Sequence, residues 1–237
     1  MSAGRGNLRT FFFSLLTLLA AVAASAEIPL ESPDWHLDFE KQGIRIFTKT
    51  QPDSDFEAFK AEAILDTPIT NIMAVMANPS SCVEWVHGCR ESWGFEEQSF
   101  SKRFAYSVND LPWPVKDRDY VLEINTHKDQ DTGAIVMNMF AVDNKMPAKD
   151  EYVRVTAQET HYFFYELPDN KTKMVWLQHT EPAGSIPSWL VNALIVDIPY
   201  KSMRALEEVA NSEKYSNAVI NYDESGAIIG VNNTASQ

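Results

Sequence analysis

The sequence lacks the short motifs that identify many enzymes and metalloproteins. It contains no G-x-S-x-G elbow, no H-E-x-x-H pair and no G-x-x-x-x-G-K phosphate loop. Its five histidines do not have the spacing of metal ligands. The segment from Asp129 begins like a calcium loop, but Phe140 occupies the twelfth position, where such loops carry a glutamate. The sequence therefore predicts neither a cofactor nor a bound metal.

Basic residues are also scarce. The chain has 20 Lys and Arg against 33 Asp and Glu, which gives a net charge of −13 at pH 7. A surface of this charge repels phosphate backbones, so we expect no binding to nucleic acid. It also disfavours stable adhesion to anionic lipid, and we expect any membrane contact to be local and transient.

Long apolar runs are limited to one, at residues 11–24. As a helix this run would be about 21 Å long, short of the roughly 30 Å hydrocarbon core of a bilayer. Arginines precede the run and an A-x-A sequence ends it at Ala26, as in a secretory signal peptide. We therefore expect residues 1–26 to be a signal peptide and the protein to be exported, as a periplasmic or secreted protein. An uncleaved membrane anchor is the alternative.

Only two cysteines are present, Cys82 and Cys89. An exported chain favours a disulfide between them. On one unbroken helix their Cα atoms would lie about 10 Å apart, too far to be bridged. Gly88 offers a place where a helix ends and the chain turns back, so we predict the disulfide. Two buried thiols are the alternative.

Hydrophobic periodicity predicts the order of helices and strands in the rest of the chain. A short helix over residues 35–42 precedes strands over 43–50 and 56–66, and two short helices then begin at Thr67 and near Ser80. Six strands follow, near 90–98, 101–110, 117–127, 134–143, 151–166 and 171–181. A last, amphipathic helix opens at Ile186 and contains Pro199. The polar residues 212–237 are predicted to form a frayed tail.

This order of elements predicts an α+β fold. Short connections between successive strands make them antiparallel neighbours in one sheet. Such a meander cannot bury both of its own faces, and the amphipathic C-terminal helix is the natural cover for one of them. A curved antiparallel sheet wrapped around a long helix leaves space between the two, where apolar ligands are commonly bound.

Four segments, in their order and spacing, resemble the START (steroidogenic-acute-regulatory-related lipid transfer) domain family. They are PWPVKDRDYV (112–121), NKMPAKDEYVR (144–154), MVWLQHT (174–180) and GSIPSWLVN (184–192). The resemblance implies a helix-grip fold over residues 27–211 and an internal cavity for a lipid or another hydrophobic small molecule. It also implies that a loop, residues 143–151, and the helix of residues 186–210 control access. The strand position that supplies a head-group arginine in some members is Ile124 here.

Candidate ligand-binding residues come from alternating strand positions, from the 143–151 loop and from the last helix. They are Phe104, Tyr106, Arg118, Tyr120, Leu122, Met137, Met139, Met146, Trp176, Gln178, Leu190 and Leu194. For each apolar member an ordinary core position is the alternative. The prolines around Trp113 limit the backbone and predict a structural corner. There Arg118 is expected to cap neighbouring carbonyls or to meet a distant carboxylate, with ligand contact as the alternative.

The sequence thus predicts a monomeric protein that binds a lipid for transport or sequestration and is not an enzyme. Helix-grip aromatases and cyclases use the same kind of cavity, and they are the alternative. That reading requires acid and base groups to converge in the cavity, for which Tyr106 and His179 are the candidates. A ligand-free interaction module, with a filled core, is a third possibility.

Overall fold

A computed structural model describes residues 28–233. The predicted signal peptide, residues 1–26, lies outside the described residues. Within residues 28–233 no helix is both long enough and apolar enough to cross a bilayer. The same part of the chain brings together no group of three or more His, Cys, Asp or Glu side chains suited to a metal ion.

Residues 28–233 fold into twelve strands and three α-helices. The strands are β1 (His36–Lys41), β2 (Ile44–Lys49), β3 (Ala58–Leu65), β4 (Cys89–Ser99), β5 (Lys102–Asn109), β6 (Arg118–Lys128), β7 (Ile135–Ala141), β8 (Val153–Val155), β9 (Ala157–Leu167), β10 (Lys171–Glu181), β11 (Ala218–Tyr222) and β12 (Ile228–Asn233). The helices are α1 (Ile69–Met76), α2 (Cys82–Trp85) and α3 (Ser188–Ala210), with 3-10 turns at Pro79–Ser81 and Glu213–Tyr215.

Ten strands form one sheet, in the order β1-β2-β3-β10-β9-β7-β6-β5-β4 with β8 beside β6. All of these pairs are antiparallel except β6–β8, which is parallel. The short connections between successive strands account for the antiparallel pairing. The predicted α+β helix-grip fold, with a large antiparallel sheet and a long C-terminal helix, is confirmed.

The main core lies between α3 and the sheet face that it covers, here called the inner face. Met203 and Leu206 of α3 are fully buried there with residues of α1 and of strands β2, β3, β9 and β10. A smaller cluster lies on the outer face of the sheet, where Tyr106, Val108 and Val121 are covered by Met146 and its neighbours. Residues 142–152 therefore act as the cover of the outer face.

The prediction of a helix at residues 35–42 is wrong, because this segment is strand β1. It pairs antiparallel with β2 through a two-residue turn of Gln42 and Gly43, with Lys41 opposite Ile44. Both turn residues have positive φ, 52° and 78°. Such turns match the twist of a hairpin, and Gly43 adopts this conformation without steric cost. The Gln-Gly pair between two segments of alternating apolar residues, LDF (37–39) and IRIF (44–47), was the signal for the hairpin.

The prediction of a frayed tail after residue 212 is also wrong over the described residues. Strands β11 and β12 form an antiparallel hairpin, with Ala218 opposite Asn233. Tyr215, Ile220 and Ile228 are buried and belong to the main core. The hairpin packs against α1, so the apolar residues at alternate positions outweigh the polar composition of the segment.

Candidate functional site

A cavity of about 160 Å³ lies between the inner face of the sheet and the first half of α3. Strands β3, β5, β6, β7, β9 and β10 supply one wall, and α3 supplies the other. The large apolar side chains that line it are Phe59, Leu122, Met139, Tyr162, Trp176, Leu194, Ile195 and Ile198. The space is therefore mainly apolar, and it lies partly enclosed between the two elements that the sequence pairs.

The structure brings seven of the predicted residues together at this cavity. They are Arg118, Tyr120, Leu122, Met139, Trp176, Gln178 and Leu194. The three residues of β6 alternate along the strand and so share one face. The residues between them in the strand, Asp119 and Val121, point to the outer face, where both are fully buried.

Phe104 and Tyr106 do not line the cavity, which corrects the prediction. Both are buried, but Tyr106 belongs to the outer-face cluster, and Ser107 and Asn109 of the same strand face the cavity instead. Strand β5 is buried on both faces, because residues 142–152 cover its outer side. The large aromatic side chains therefore do not show which face is inward.

Three further predicted residues lie away from the cavity lining. Met137 is buried in the main core on the same strand as Met139. Met146 packs on the outer face, against the cluster around Tyr106. Leu190 lies in the first turn of α3 and is only half-buried. The sequence placed these side chains on elements near the cavity but did not determine which way they point.

Gln178 is the centre of a hydrogen-bonded polar group in the cavity wall. Its amide oxygen accepts from Trp176 Nε1 at 3.2 Å and from Thr160 Oγ1 at 3.2 Å. Its amide nitrogen donates to Thr180 Oγ1 at 3.2 Å. A buried amide requires such partners, and these three fix its orientation. The side chain therefore presents a fixed polar surface to the cavity.

Arg118 is a buried cation held by backbone carbonyls. Its Nε donates to the carbonyl of Pro182 at 3.0 Å and its Nη2 to that of Ala183 at 2.8 Å, while Nη1 donates to Lys116. Among the described residues no carboxylate lies within salt-bridge distance of it. Burial lowers the pKa of Arg118. The expected role as a cap of neighbouring carbonyls is thus what the structure shows, at the cavity wall.

Asn109 and Arg118 form the polar end of the cavity. The two residues are cross-strand partners in the β5–β6 pair. Two residues further along each strand, Ser107 lies opposite Tyr120. The Oδ1 atom of Asn109 is buried and has no hydrogen-bond partner within the described part of the chain. A guanidinium has five N–H donors, of which Arg118 uses three for carbonyls. Polar groups with unused hydrogen-bonding capacity therefore meet at one end of an otherwise apolar space.

Two tyrosines of the cavity wall stay protonated at physiological pH. Burial raises the pKa of Tyr120 to about 12, although the neighbouring Arg118 acts in the opposite direction. Burial also raises the pKa of Tyr162, whose ring contacts Trp176 at 5.2 Å and Trp85 at 6.2 Å. Both phenols are therefore neutral donors and not proton acceptors.

A disulfide joins Cys82 and Cys89, with Cα atoms 6.0 Å apart. Gly88 has a φ of 87°, which lets the chain turn back after α2 and enter β4. Cys82 lines the cavity, so the bridge fixes the short α2 segment against the site.

Two exposed tryptophans stand beside the cavity. Trp113 is 93% exposed in the loop that follows Leu111, and Trp189 is 71% exposed at the start of α3. Leu111 and Ile186, in the same two segments, line the cavity. The two exposed rings therefore lie in chain segments that also reach the cavity.

The fold and the apolar cavity between its long helix and its sheet define a helix-grip protein. A START domain model matches residues 18–207, and the chain belongs to the START domain family. A solved structure described as a StAR-related lipid transfer protein from Xanthomonas axonopodis is similar to it, with a TM-score of 0.70 and 24% identity. The similarity covers 76% of this chain and 99% of the other.

Relatives of known sequence cover most of the chain. An uncharacterized protein of Pseudomonas aeruginosa, PA1579, is 27% identical over 82% of this chain and 96% of its own length. The bovine phosphatidylcholine transfer protein is 21% identical over 69% of this chain and 78% of its own. The relatives thus include a protein named for the transfer of a lipid.

Proposed function

We propose that the protein binds a lipid in the cavity between α3 and the inner face of the sheet, for transport or sequestration. The observation that carries the proposal is a partly enclosed apolar space with one polar end, formed by Arg118, Asn109 and Ser107. Apolar chains gain about 25 cal/mol for each Å² removed from water, while the polar end sets their orientation. Membership of a family that includes lipid-transfer proteins supports the same conclusion.

Binding requires the cavity to enlarge. Its volume of about 160 Å³ is below the roughly 300–1,000 Å³ of pockets that hold drug-sized ligands. The sheet wall is held by continuous ladders of hydrogen bonds, so the wall that we expect to move furthest is the first half of α3. We infer that this half lifts to admit a ligand. The 143–151 loop, which the resemblance also implicates, packs on the outer face and is not among the cavity-lining residues, so it can affect access only through β6.

A binding role without catalysis is supported by the groups that face the cavity. Tyr120 and Tyr162 are neutral because burial raises the pKa of both. The guanidinium of Arg118 is directed at backbone carbonyls. The two acid–base candidates of an aromatase or cyclase, Tyr106 and His179, are not among the cavity-lining residues.

Mass spectrometry of lipid extracted from the purified native protein tests the proposal. Leu194 faces the cavity, so Leu194→Trp should fill it and abolish bound lipid while the fold is kept. Asp197→Trp places the same side chain on an exposed position of the same helix and is the matched control. Equal lipid content in both variants would place the ligand elsewhere. Absence of bound lipid, together with no uptake of a fluorescent lipid, would reject lipid binding.

We further propose that transient membrane contact occurs through Trp113 and Trp189. Tryptophan prefers the boundary between headgroups and hydrocarbon, and both rings lie next to segments that line the cavity. Replacement of both by serine should slow the transfer of a fluorescent lipid between neutral vesicles but leave the binding of dispersed lipid unchanged. Unchanged transfer would assign the membrane contact to another surface. The protein is proposed to act as a monomer.

Export is proposed from the sequence of residues 1–26. The measurement is the intact mass of the protein produced in a host with a secretory pathway. A mature chain that begins at Glu27 supports export, and a membrane-bound protein that retains Met1 contradicts it.

A further inference from the structure

Arg118 and Asp119 are adjacent in β6 and therefore point to opposite faces of the sheet. Both are almost completely buried, at 2% and 0% exposure. Neither forms a salt bridge with the other, and each binds a different segment of the chain. Buried charged groups are rare unless they have partners, so the partners of this pair show what it holds together.

On the inner side Arg118 holds the junction between β10 and α3. It donates to the carbonyls of Pro182 and Ala183, six and five residues before Ser188, the first residue of α3. Ala183 and Gly184 have φ of 53° and 64°, so the chain reverses sharply here. The position of this junction determines where the first half of α3 lies.

On the outer side Asp119 holds the 143–151 loop through Arg154. Nη2 of Arg154 donates to the Asp119 carboxylate at 2.8 Å, and the Tyr106 hydroxyl donates to the same oxygen at 3.0 Å. The Arg154 guanidinium also donates to the carbonyls of Met146 at 2.9 Å and Pro147 at 3.1 Å. The loop is therefore fastened to β6 by a buried ion pair.

The two sides also meet directly through β8. Val153 pairs with Arg118 of β6, and its amide donates to the carbonyl of Asp117, the residue just before this strand, at 3.0 Å. Val153 also packs against Gly184. A Cβ atom built on Gly184 would lie 3.5 Å from a methyl carbon of Val153 and 3.7 Å from Nη2 of Arg118. The residue next to Arg154 thus packs on the junction that Arg118 holds.

We propose that the Arg118–Asp119 pair couples the 143–151 loop to the start of α3, so that the two open together. As an account of ligand exchange this rests on the proposed function, but the coupling itself is a property of the free protein. When the 143–151 loop moves, it displaces Arg154 and, through the ion pair, Asp119. This displacement also moves β8 and the neighbouring residue of β6, Arg118. Arg118 and Asp119 are thus positioning residues and need not touch the ligand.

Amide hydrogen exchange of the ligand-free protein tests the coupling. Asp119→Asn removes the charge that holds Arg154, and we expect faster exchange in the loop and also at residues 183–191. Coupling networks of this kind change local equilibria by about 2- to 30-fold. Lys145→Gln is the matched control, because Lys145 fastens the same loop to Glu96 at 2.9 Å and not to β6. It should affect the loop alone.

Coupling is reciprocal, which gives a second test. Arg118→Lys keeps the charge but cannot donate to three carbonyls in one plane, so it loosens the junction first. We expect faster exchange in the 143–151 loop as well. Arg154→Lys replaces Asp119→Asn if the latter does not fold. In each variant the amides of β9 and β10 should keep their protection, since global unfolding would expose them too.

The coupling is rejected if Asp119→Asn speeds exchange only in the 143–151 loop and Arg118→Lys speeds it only at residues 183–191. Lipid uptake is measured separately on the same variants. If amide exchange changes in both segments but no lipid binds, the coupling stands and the proposed function is rejected. If lipid binds but amide exchange changes in only one segment, the proposed function stands and the coupling is rejected.

Discussion

The two halves of α3 are packed very differently. In the second half Met203, Leu206 and Ala210 are fully buried. This half is also hydrogen-bonded to distant elements, for example Ser202 Oγ to the His87 amide at 2.9 Å and the Ala210 carbonyl to Asn71 at 3.1 Å. In the first half, among the side chains that the structure describes, Trp189 is largely exposed and Leu194 faces the cavity.

One helix thus combines a tightly packed half with a half that borders a cavity. The whole of α3 packs on α1, α2 and strands β2 and β3, and its second half places Met203 and Leu206 in the main core. Its first half covers the cavity, which Leu194, Ile195 and Ile198 line. Pro199 lies between the two halves and removes one backbone donor from the helix, so the halves are joined by a weakened turn. The anchored half can therefore keep the fold while the other half moves.

Truncation of a leucine in each half gives the largest expected effect. Leu206→Ala should lower the free energy of unfolding by about 2–5 kcal/mol, because it leaves a hole in a packed core. Leu194→Ala, the same change at the cavity, should cost less than about 1.5 kcal/mol, because part of its surface already faces empty space. Urea denaturation measures both. Equal losses would show that the first half is as firmly packed as the second.

Removal of the disulfide is expected to have the next largest effect. The bridge holds α2, which packs on α3 next to the Ser202 contact. A short closed loop contributes about 2–3 kcal/mol by restricting the unfolded chain. The Cys82→Ser, Cys89→Ser double variant should therefore lose about this much in urea denaturation, and the reduced parent protein should match it. Titration of two free thiols in the unfolded, non-reduced parent would contradict the pairing.

Replacement of Pro199 tests the weakened turn itself. Pro199→Ala restores a backbone donor and should raise the free energy of unfolding by about 1 kcal/mol. Alanine is favoured over proline in a helix by roughly 3 kcal/mol. Loss of the packing of the buried proline ring offsets part of this gain. A stiffer joint should also slow the exchange of a fluorescent lipid. Faster exchange at equal stability would show that the two halves do not move independently.

Most of the sheet could be predicted because strand alternation is a local property of the sequence. Strand β1 was missed because its hairpin depends on a two-residue turn, Gln42 and Gly43, and not on a long periodic pattern. Which side chains of β5 face the cavity could not be predicted, because the outer face of this strand is buried by residues 142–152, which lie far along the chain. A strand buried on both faces carries no alternation that identifies the inner side.

The site was only partly predictable for a related reason. Tyr120, Leu122, Trp176 and Gln178 follow from the alternation of two strands, and the structure places all four at the cavity. The role of Arg118 depends on carbonyls 64 and 65 residues away, in an irregular junction with positive φ. No periodic pattern specifies such a junction, so the motif indicated that the residue matters but not what it binds.

The smallest expected effect uses pH to separate the halves. Burial lowers the pKa of His179 from its ordinary value of 6.5, and Glu181, 3.4 Å away, opposes the shift only in part. The unfolded chain therefore binds more protons than the folded one just below pH 6.5, so this contribution to stability is present above pH 6.5 and is lost as the pH falls toward the lower folded pKa.

His179 lies at the end of β10 that leads into the first half of α3, and its ring is also within 3.4 Å of Ser54. Because the intrinsic exchange rate of an amide itself falls on acidification, the comparison uses protection factors. Acidification should lower the protection factors at residues 183–191 and leave those at residues 203–210 unchanged. His179→Gln, which does not titrate, should flatten the pH dependence of both stability and protection in this range. An equal loss of protection in both halves of the helix, or a pH dependence that survives in His179→Gln, would show that another group controls the opening.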